Sequence, residues 1–248
     1  MLNSGRSPLA PLKKGGKEAQ NGDIPMTASI EPSAEPTIIY SDSDGQPMAD
    51  NTKQFRCITT IQGGLDAVFK NNTDVFVAGD LLWYPVEGDN KTRLAPDVMV
   101  VFGRPKGDRG SYQQWRENNI APQVVFEVLS PGNRVGEMLK KLRFYEDYGV
   151  EEYYMYDPDH VDLTGWLRSG NKLNDIESMS GWVSPRLGIR FELGSELEIY
   201  RPDGQKFLTY VELEREREQE RHEKELAQSK VDRLAERLRS MGINPDEV

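Results

Sequence analysis

Between residues 74 and 200 the chain alternates short apolar runs with polar turns, a pattern that predicts a series of β-strands. The predicted strands are Asp74–Ala78, Leu81–Tyr84, Val98–Phe102, Gln123–Leu129, Glu152–Tyr156, Leu163–Arg168, Gly188–Leu193 and Leu197–Tyr200. We expect the first three to form an antiparallel meander and the last three to extend the same sheet.

Two segments have the apolar spacing of amphipathic helices that pack on a sheet. The first runs from Phe55 to Lys70, although its Gly63-Gly64 pair lowers the helix propensity. The second begins at Arg134 or the next residue and ends at Tyr148, with Asn133 predicted as its N-cap. Strands and helices together predict an α/β protein.

The apolar run from Gln123 to Leu129 is typical of a central strand that is covered on both faces, and Glu127 interrupts it. A buried carboxylate costs several kcal/mol unless it is paired, protonated or bound to a cation. Glu127 therefore needs a partner, unless the strand lies at an edge of the sheet and Glu127 faces water.

Asp97 is the first candidate for that partnership, because Pro96-Asp97 comes immediately before a strand and the side chain can reach a neighbouring strand. Magnesium takes a few carboxylates together with water and substrate phosphate. Asp97, Glu127 and the backbone carbonyl of Val128 thus form a candidate metal-binding set. The alternative for Asp97 is an Asx-turn that follows the proline.

Lys140 and Lys141 point in different directions from the second predicted helix. Lys140 projects away from the apolar face, whereas Lys141 lies about 80° from the centre of that face, at its rim. Lys141 is therefore the candidate functional ammonium. A lysine that lays its stem over the core and keeps its ammonium in water fits the same pattern.

The polar loop between residues 103 and 119 is the candidate surface for nucleic acid. Its basic side chains are Arg104, Lys106, Arg109 and Arg116, with Tyr112 and Trp115 between them. Asp108 and Glu117 dilute this charge, so an ordinary solvated loop is an equal alternative.

Composition excludes several classes of protein. A net charge of -10 over 248 residues excludes a protein that coats nucleic acid indiscriminately. Cys57, as the single cysteine, excludes a disulfide within the chain and favours a reducing, cytoplasmic location. His160 and His222 are too few for a histidine-rich zinc site. The sequence has no apolar stretch long enough to span a membrane.

The two ends of the chain differ from its centre. Residues 1–50 are rich in Pro, Ser, Gly, Ala and Asn, which predicts a flexible tail. Residues 206–248 predict a charged helix with a short coiled-coil seam of Ala227, Val231, Leu234, Leu238 and Met241. That seam indicates either a homo-oligomer or a solvated helix with one apolar stripe.

The order of these motifs along the chain resembles the restriction-endonuclease-like family of the PD-(D/E)XK nuclease superfamily. The resemblance rests on Pro96-Asp97, Glu127-Val128-Leu129-Ser130-Pro131, Lys141 with Tyr145 one turn later, Gly149-Val150-Glu151-Glu152-Tyr153-Tyr154 and Asp157-Pro158. It covers residues 74 to 159. The usual lysine two positions after the acidic residue is absent here, since Leu129 occupies that position, and the aspartate one turn before the helix lysine is Glu137.

The resemblance implies a restriction-endonuclease-like fold, in which a four-stranded mixed central sheet is flanked by helices, within residues 51–205. It also implies that Asp97 and Glu127 bind Mg2+, for which Mn2+ can substitute, while Lys141 orients or activates the attacking water. Asp80 and Tyr145 are further candidates, although the sequence favours an ordinary turn residue at Asp80. The expected activity is that of an endonuclease acting on DNA. The alternative is an inactive nuclease fold that binds or regulates and assembles through its C-terminal helix.

Overall fold

The computed structural model describes residues 38–242, 244 and 245, and it contains a mixed sheet with three helices. The helices are α1 (Thr52–Val68), α2 (Val135–Asp147) and α3 (Tyr210–Ser240). The strands are β1 (Val75–Gly79), β2 (Trp83–Tyr84), β3 (Val98–Phe102), β4 (Tyr112–Gln113), β5 (Val124–Val128), β6 (Glu152–Asp157), β7 (Asp162–Ser169), β8 (Lys172–Asp175), β9 (Arg190–Leu193) and β10 (Leu197–Tyr200). This architecture confirms the predicted fold class.

The main sheet has six strands in the order β1, β3, β5, β6, β7 and β8. Its neighbours are antiparallel except for β5 and β6, which run parallel and are connected through α2. The position of β5 between β3 and β6 removes the edge explanation for Glu127. The sheet is also larger than the four strands that the family resemblance implied.

Each face of the sheet has its own apolar core, because successive residues of a strand point to opposite faces. On one face, Val124 and Phe126 pack with Ile58, Ile61 and Leu65 of α1. On the other face, Val125 packs with Tyr145 of α2 and with Tyr153 of β6. Glu127 lies two residues after Val125, so its side chain points to the same face of the sheet, which is the face covered by α2.

Three local predictions are wrong. Strand β2 does not join a meander but pairs in parallel with β4 in a separate two-stranded sheet. Strands β9 and β10 do not extend the main sheet but form a two-stranded sheet of their own. Asn133 does not cap α2, because its side-chain oxygen accepts a hydrogen bond from the Ser130 backbone N–H at 2.6 Å. Arg134 takes the N-cap position, and its backbone N–H donates to Glu137 at 3.3 Å.

The predicted flexible tail comprises residues 1–50, of which residues 1–37 lie outside the described part of the chain. Residues 38–50 contact the domain. The Tyr84 hydroxyl donates to the Ser41 carbonyl at 2.9 Å, and the Gly88 N–H donates to the Tyr40 hydroxyl at 2.7 Å. These contacts attach Tyr40 and Ser41 to the domain, ahead of the predicted boundary at residue 50. In the described part of the chain, no helix is long and apolar enough to cross a membrane.

Gly64 in α1 provides the first test of this packing. An added Cβ would lie 2.1 Å from a ring carbon of the buried Phe207, whereas Gly63 has no atom within 4 Å of the equivalent position. We expect Gly64→Ala to lower the free energy of unfolding by about 1–3 kcal/mol through overpacking. Gly63→Ala, the control, should raise it by up to about 1 kcal/mol through helix propensity. Urea denaturation measures both, and equal effects would contradict the contact with Phe207.

Candidate active site

Three acidic residues lie at the same level of three adjacent strands. Val98 of β3 pairs with Phe126 of β5, so Asp97 lies opposite Glu127 one position further along. Gly79 of β1 pairs with Val98, and Asp80 follows Gly79. The Asp80 N–H donates to the Asp97 carbonyl at 3.3 Å. The sheet therefore brings Asp80, Asp97 and Glu127 together across β1, β3 and β5.

Glu127 is only 2% exposed, and both of its carboxylate oxygens are satisfied by side chains from α2. Lys141 Nζ donates to Glu127 Oε2 at 2.6 Å, and the Tyr145 hydroxyl donates to Oε1. Lys141 and Tyr145 are four residues apart and so share one face of the helix. Lys140 is exposed, so the helix turns Lys141 and not Lys140 towards the sheet.

The electrostatics of this cluster are set by burial and by like charge. Burial, followed by the neighbouring Glu127 carboxylate, raises the pKa of Asp97 to about 8. Burial raises the pKa of Asp80 as well, with further contributions from Asp44 and Glu127. The pKa values of two acidic groups of the cluster are thus raised, because this environment is unfavourable for carboxylates without a cation.

The pKa values of Lys141 and Tyr145 are also raised, and the adjacent Glu127 carboxylate contributes to both shifts by stabilising the protonated forms. Burial alone lowers the pKa of the Lys141 ammonium, but the adjacent Glu127 carboxylate outweighs burial and the pKa is raised above 10.5. Burial and Glu127 together raise the pKa of Tyr145 well above 10.0. Both groups therefore remain hydrogen-bond donors to Glu127 at neutral pH.

The backbone of Val128 links Asp97 to α1. Its N–H donates to Asp97 Oδ2 at 2.6 Å, and its carbonyl accepts a hydrogen bond from Gln54 Nε2 at 2.7 Å. Sequence reasoning missed Gln54. The signal was present, since Gln54 precedes Ile58, Ile61 and Leu65 on the buried stripe of α1, where a polar side chain needs a buried partner.

The donor set suits a hard divalent cation. Carboxylates from Asp97 and Glu127 and the carbonyl of Val128 are all oxygen ligands of the kind that Mg2+ prefers. A cation there would also relieve the charge repulsion that raises the pKa of Asp97. Among the described residues, however, no three His, Cys, Asp or Glu side chains form a ready-made metal cluster. Two carboxylates with water and phosphate are still sufficient for Mg2+.

The basic loop lies at the opposite end of the sheet from the acidic cluster. Asp97 precedes β3, whereas the loop follows Phe102 at the other end of that strand, about 17 Å away at 3.3 Å per residue. The Lys106 N–H donates to the Thr73 carbonyl, ahead of β1. The structure therefore does not bring Arg104, Lys106 and Arg109 to the predicted metal site.

Two of these arginines also have internal partners. Arg104 and Arg109 both contact Glu117, at 2.7 and 2.8 Å, and the Arg109 guanidinium lies 3.9 Å from the centre of the Phe76 ring. Arg116 is exposed on a short 3-10 turn, and Lys106 lies 3.3 Å from Asp66. Arg104 and Arg109 thus hold the loop in place. They are not displayed to solvent, although the sequence suggested that they would be.

An apolar groove of about 430 Å³ lies between the first half of α2 and strands β6 and β7. Met155, which pairs with Glu127 across β5 and β6, forms part of its wall, as does Leu142 beside Lys141. Trp166 also lines it and stacks on Tyr153 with ring centres 4.8 Å apart. The groove is therefore adjacent to the carboxylate cluster on the α2 face.

Comparison with known proteins gives one family match. The family model described as "Uma2: Putative restriction endonuclease" matches residues 32–231. A crystal structure of a protein from Anabaena variabilis, described as a putative nuclease belonging to DUF820, has 17% sequence identity and a TM-score of 0.42. That similarity covers 56% of this chain and 74% of the other. No curated protein matches the sequence.

We predict that Asp97→Asn stabilises the metal-free protein and that the gain grows with pH. The folded protein holds the Asp97 proton up to a pKa of about 8, whereas an ordinary aspartate releases it near 3.8. The stability linked to the protonated carboxyl is therefore complete below pH 3.8 and is lost as the pH rises towards 8, by at most about 1.4 kcal/mol per pH unit.

Melting temperatures of the wild type and of Asp97→Asn, in EDTA across this pH range, test the prediction. The amide retains an oxygen that can accept the Val128 N–H, so the hydrogen bond is preserved in the variant. A difference in melting temperature that does not change with pH would contradict the raised pKa of Asp97.

Proposed function

Because the chain belongs to the Uma2 family of putative restriction endonucleases, we propose that it hydrolyses phosphodiester bonds in DNA in a reaction that requires Mg2+ or Mn2+. The observation that carries this proposal is the placement of Asp97 and Glu127 on adjacent strands with the Lys141 ammonium 2.6 Å from Glu127. Two carboxylates and one lysine are the groups that metal-assisted phosphoryl chemistry needs. DNA is the substrate class that the family description implies.

The residues that would hold the cation are Asp97, Glu127 and Val128, the last through its carbonyl. When bound, the cation would lower the pKa of a coordinated water and stabilise the charge that develops on the phosphate. The register of β3 and β5 places Asp97 and Glu127 opposite each other, and hydrogen bonds from Val128, Lys141 and Tyr145 hold the two carboxylates. Asp80 is a further acidic group at the same level, beside Asp97.

Lys141 supplies a positive charge beside the reacting groups. Its ammonium stays protonated at neutral pH, so it acts as a hydrogen-bond donor and a charge and not as a base. A lysine in this position can orient the attacking water or contact a phosphoryl oxygen. Tyr145 has a different role, because its buried hydroxyl donates to Glu127 and fixes the orientation of that carboxylate.

One observation favours a second candidate function, a nuclease fold that binds nucleic acid without cutting it. Both Glu127 oxygens and the Val128 carbonyl already accept hydrogen bonds within the chain, from Lys141, Tyr145 and Gln54. If these bonds persist in the presence of metal, the Lys141 ammonium and the Tyr145 hydroxyl compete with the cation for the Glu127 oxygens and weaken metal binding. The protein would then bind DNA through its surface in a salt-dependent manner but leave it intact.

We predict that the wild type converts supercoiled plasmid to nicked and linear forms with Mg2+ or Mn2+ but not in EDTA. Glu127→Gln should lower the rate at least about 100-fold, because the amide cannot supply the negative charge that the cation requires. Glu177→Gln is the control, because Glu177 is exposed and lies outside the site, and the substitution is chemically the same. Calorimetry should show divalent metal binding by the wild type and by Glu177→Gln only. Intact plasmid with every protein, without metal binding, would refute the proposal in favour of the binding module.

Lys141→Met separates catalysis from metal binding. We expect cleavage to fall about 10- to 100-fold, because the charge beside the phosphate is lost. Metal affinity should stay equal or increase, since Lys141 no longer competes for Glu127. Lys140→Met removes the same charge from the exposed side of α2 and should leave both quantities unchanged. Equal losses for the two lysine variants would exclude a specific role for Lys141.

A further inference from the structure

Helix α3 contains 31 residues, and none of them is buried against the described part of the chain. Its apolar side chains are conspicuously exposed: Tyr210 is 77% exposed, Leu213 46%, Val231 57% and Leu234 63%. A helix of this length gains most of its stability from packing of an apolar face and not from its own propensity. An unpaired α3 therefore lacks the contact that such a helix usually has.

The apolar seam extends over the whole helix when its heptad spacing is followed towards the N-terminus. In the alternating spacing of three and four residues, the seam positions are Tyr210, Leu213, Arg217, Glu220, Lys224, Ala227, Val231, Leu234, Leu238 and Met241. Seven of these ten are apolar. The three charged positions are consecutive and lie in the middle, so they decide which pairing is acceptable.

We propose that α3 pairs with α3 of a second copy of this chain in antiparallel orientation, with Glu220 opposite Lys224 of the partner subunit. A parallel pair would place Arg217, Glu220 and Lys224 against their own copies. Each of three consecutive layers of the seam would then contain two identical charges, which is strongly unfavourable. Antiparallel pairing brings different residues together and removes this repulsion.

One antiparallel register gives every seam position from Tyr210 to Leu234 a compatible residue on the partner helix. Glu220 and Lys224 form two opposite-charge layers at the centre. Arg217 lies opposite Ala227 of the partner subunit, where the small side chain leaves room for the arginine stem to reach water. The outer layers pair Leu213 with Val231 and Tyr210 with Leu234. The overlap of 25 residues is about 36 Å long at 1.5 Å per residue.

Registers shifted by one heptad are worse in identifiable ways. A shift in one direction places Glu220 opposite Val231 and Arg217 opposite Leu234, which buries charges without partners. A shift in the other direction places Lys224 opposite Leu213 and leaves Val231 and Leu234 beyond the start of the opposing helix. Pairing of the C-terminal heptads alone joins Val231 to Leu234 but leaves Tyr210 and Leu213 exposed.

The domain offers a continuation of the seam in the proposed register. A groove of about 330 Å³ lies between α1 and the start of α3, and Tyr210 and Leu213 form part of its lining together with Phe207, Gly63 and Ala67. Leu238 and Met241 of the partner subunit extend past Tyr210 in this register. They reach the N-terminal end of α3, which adjoins this groove. The groove therefore continues the apolar seam on the domain.

Charge exchange tests the register in the full chain. Lys224→Glu or Glu220→Lys alone places like charges in both central layers and should weaken the dimer at least tenfold in sedimentation equilibrium. The double variant Glu220→Lys/Lys224→Glu should restore wild-type affinity, because opposite charges again face each other. Glu218→Lys makes the same change on the outer face of α3 and should have no comparable effect. A wild type that remains monomeric, or a double variant weaker than both singles, would overturn the proposal.

Cysteine cross-linking tests the orientation in a Cys57→Ser background. Leu213→Cys and Val231→Cys chains should each give little covalent dimer on oxidation, whereas an equimolar mixture should give a heterodimer. Cross-linking of each single variant with itself would indicate a parallel pair. Failure of the mixture to cross-link, with a dimer still present, would exclude this register and leave the C-terminal pairing. Circular dichroism of each variant checks that α3 remains helical.

Discussion

The ion pair between Glu127 and Lys141, completed by the Tyr145 hydroxyl, is the interaction on which the site and one face of the core depend. A carboxylate in the centre of a six-stranded sheet costs several kcal/mol unless it is compensated. Both compensating groups come from one face of α2. The helix therefore has to dock in one rotational position, because any other would leave Glu127 buried without a donor.

The backbone of β5 connects Glu127 to residues on the other face of the sheet. Val128 donates its N–H to Asp97 and its carbonyl accepts a hydrogen bond from Gln54 of α1, so the backbone of one residue joins two strands and a helix. Glu127 and Val128 are consecutive and point to opposite faces. Together they fix α1, α2, β3 and β5 around one point, which gives the proposed site a rigid support.

The same arrangement is unfavourable for the protein without a cation. Asp97 lies opposite Glu127 in a half-buried position, and desolvation with like charge raises its pKa to about 8. The proximity of a buried acid and a half-buried acid does not itself stabilise the fold. Groups with perturbed pKa values cluster at functional sites, and this environment is consistent with the metal-binding role proposed for Asp97 and Glu127.

The sequence by itself determined the features that depend on local periodicity. The apolar run of β5 with Glu127 inside it, the proline-aspartate step before β3 and the helical projection that separates Lys141 from Lys140 were all readable, because side-chain direction repeats every two residues in a strand and every 3.6 in a helix. Tertiary structure alone decided that Gln54 reaches Val128 and that Arg104 and Arg109 lie at the far end of the sheet. Strand direction and pairing join residues that are distant in the chain, and no local pattern encodes which end of the sheet a loop will share.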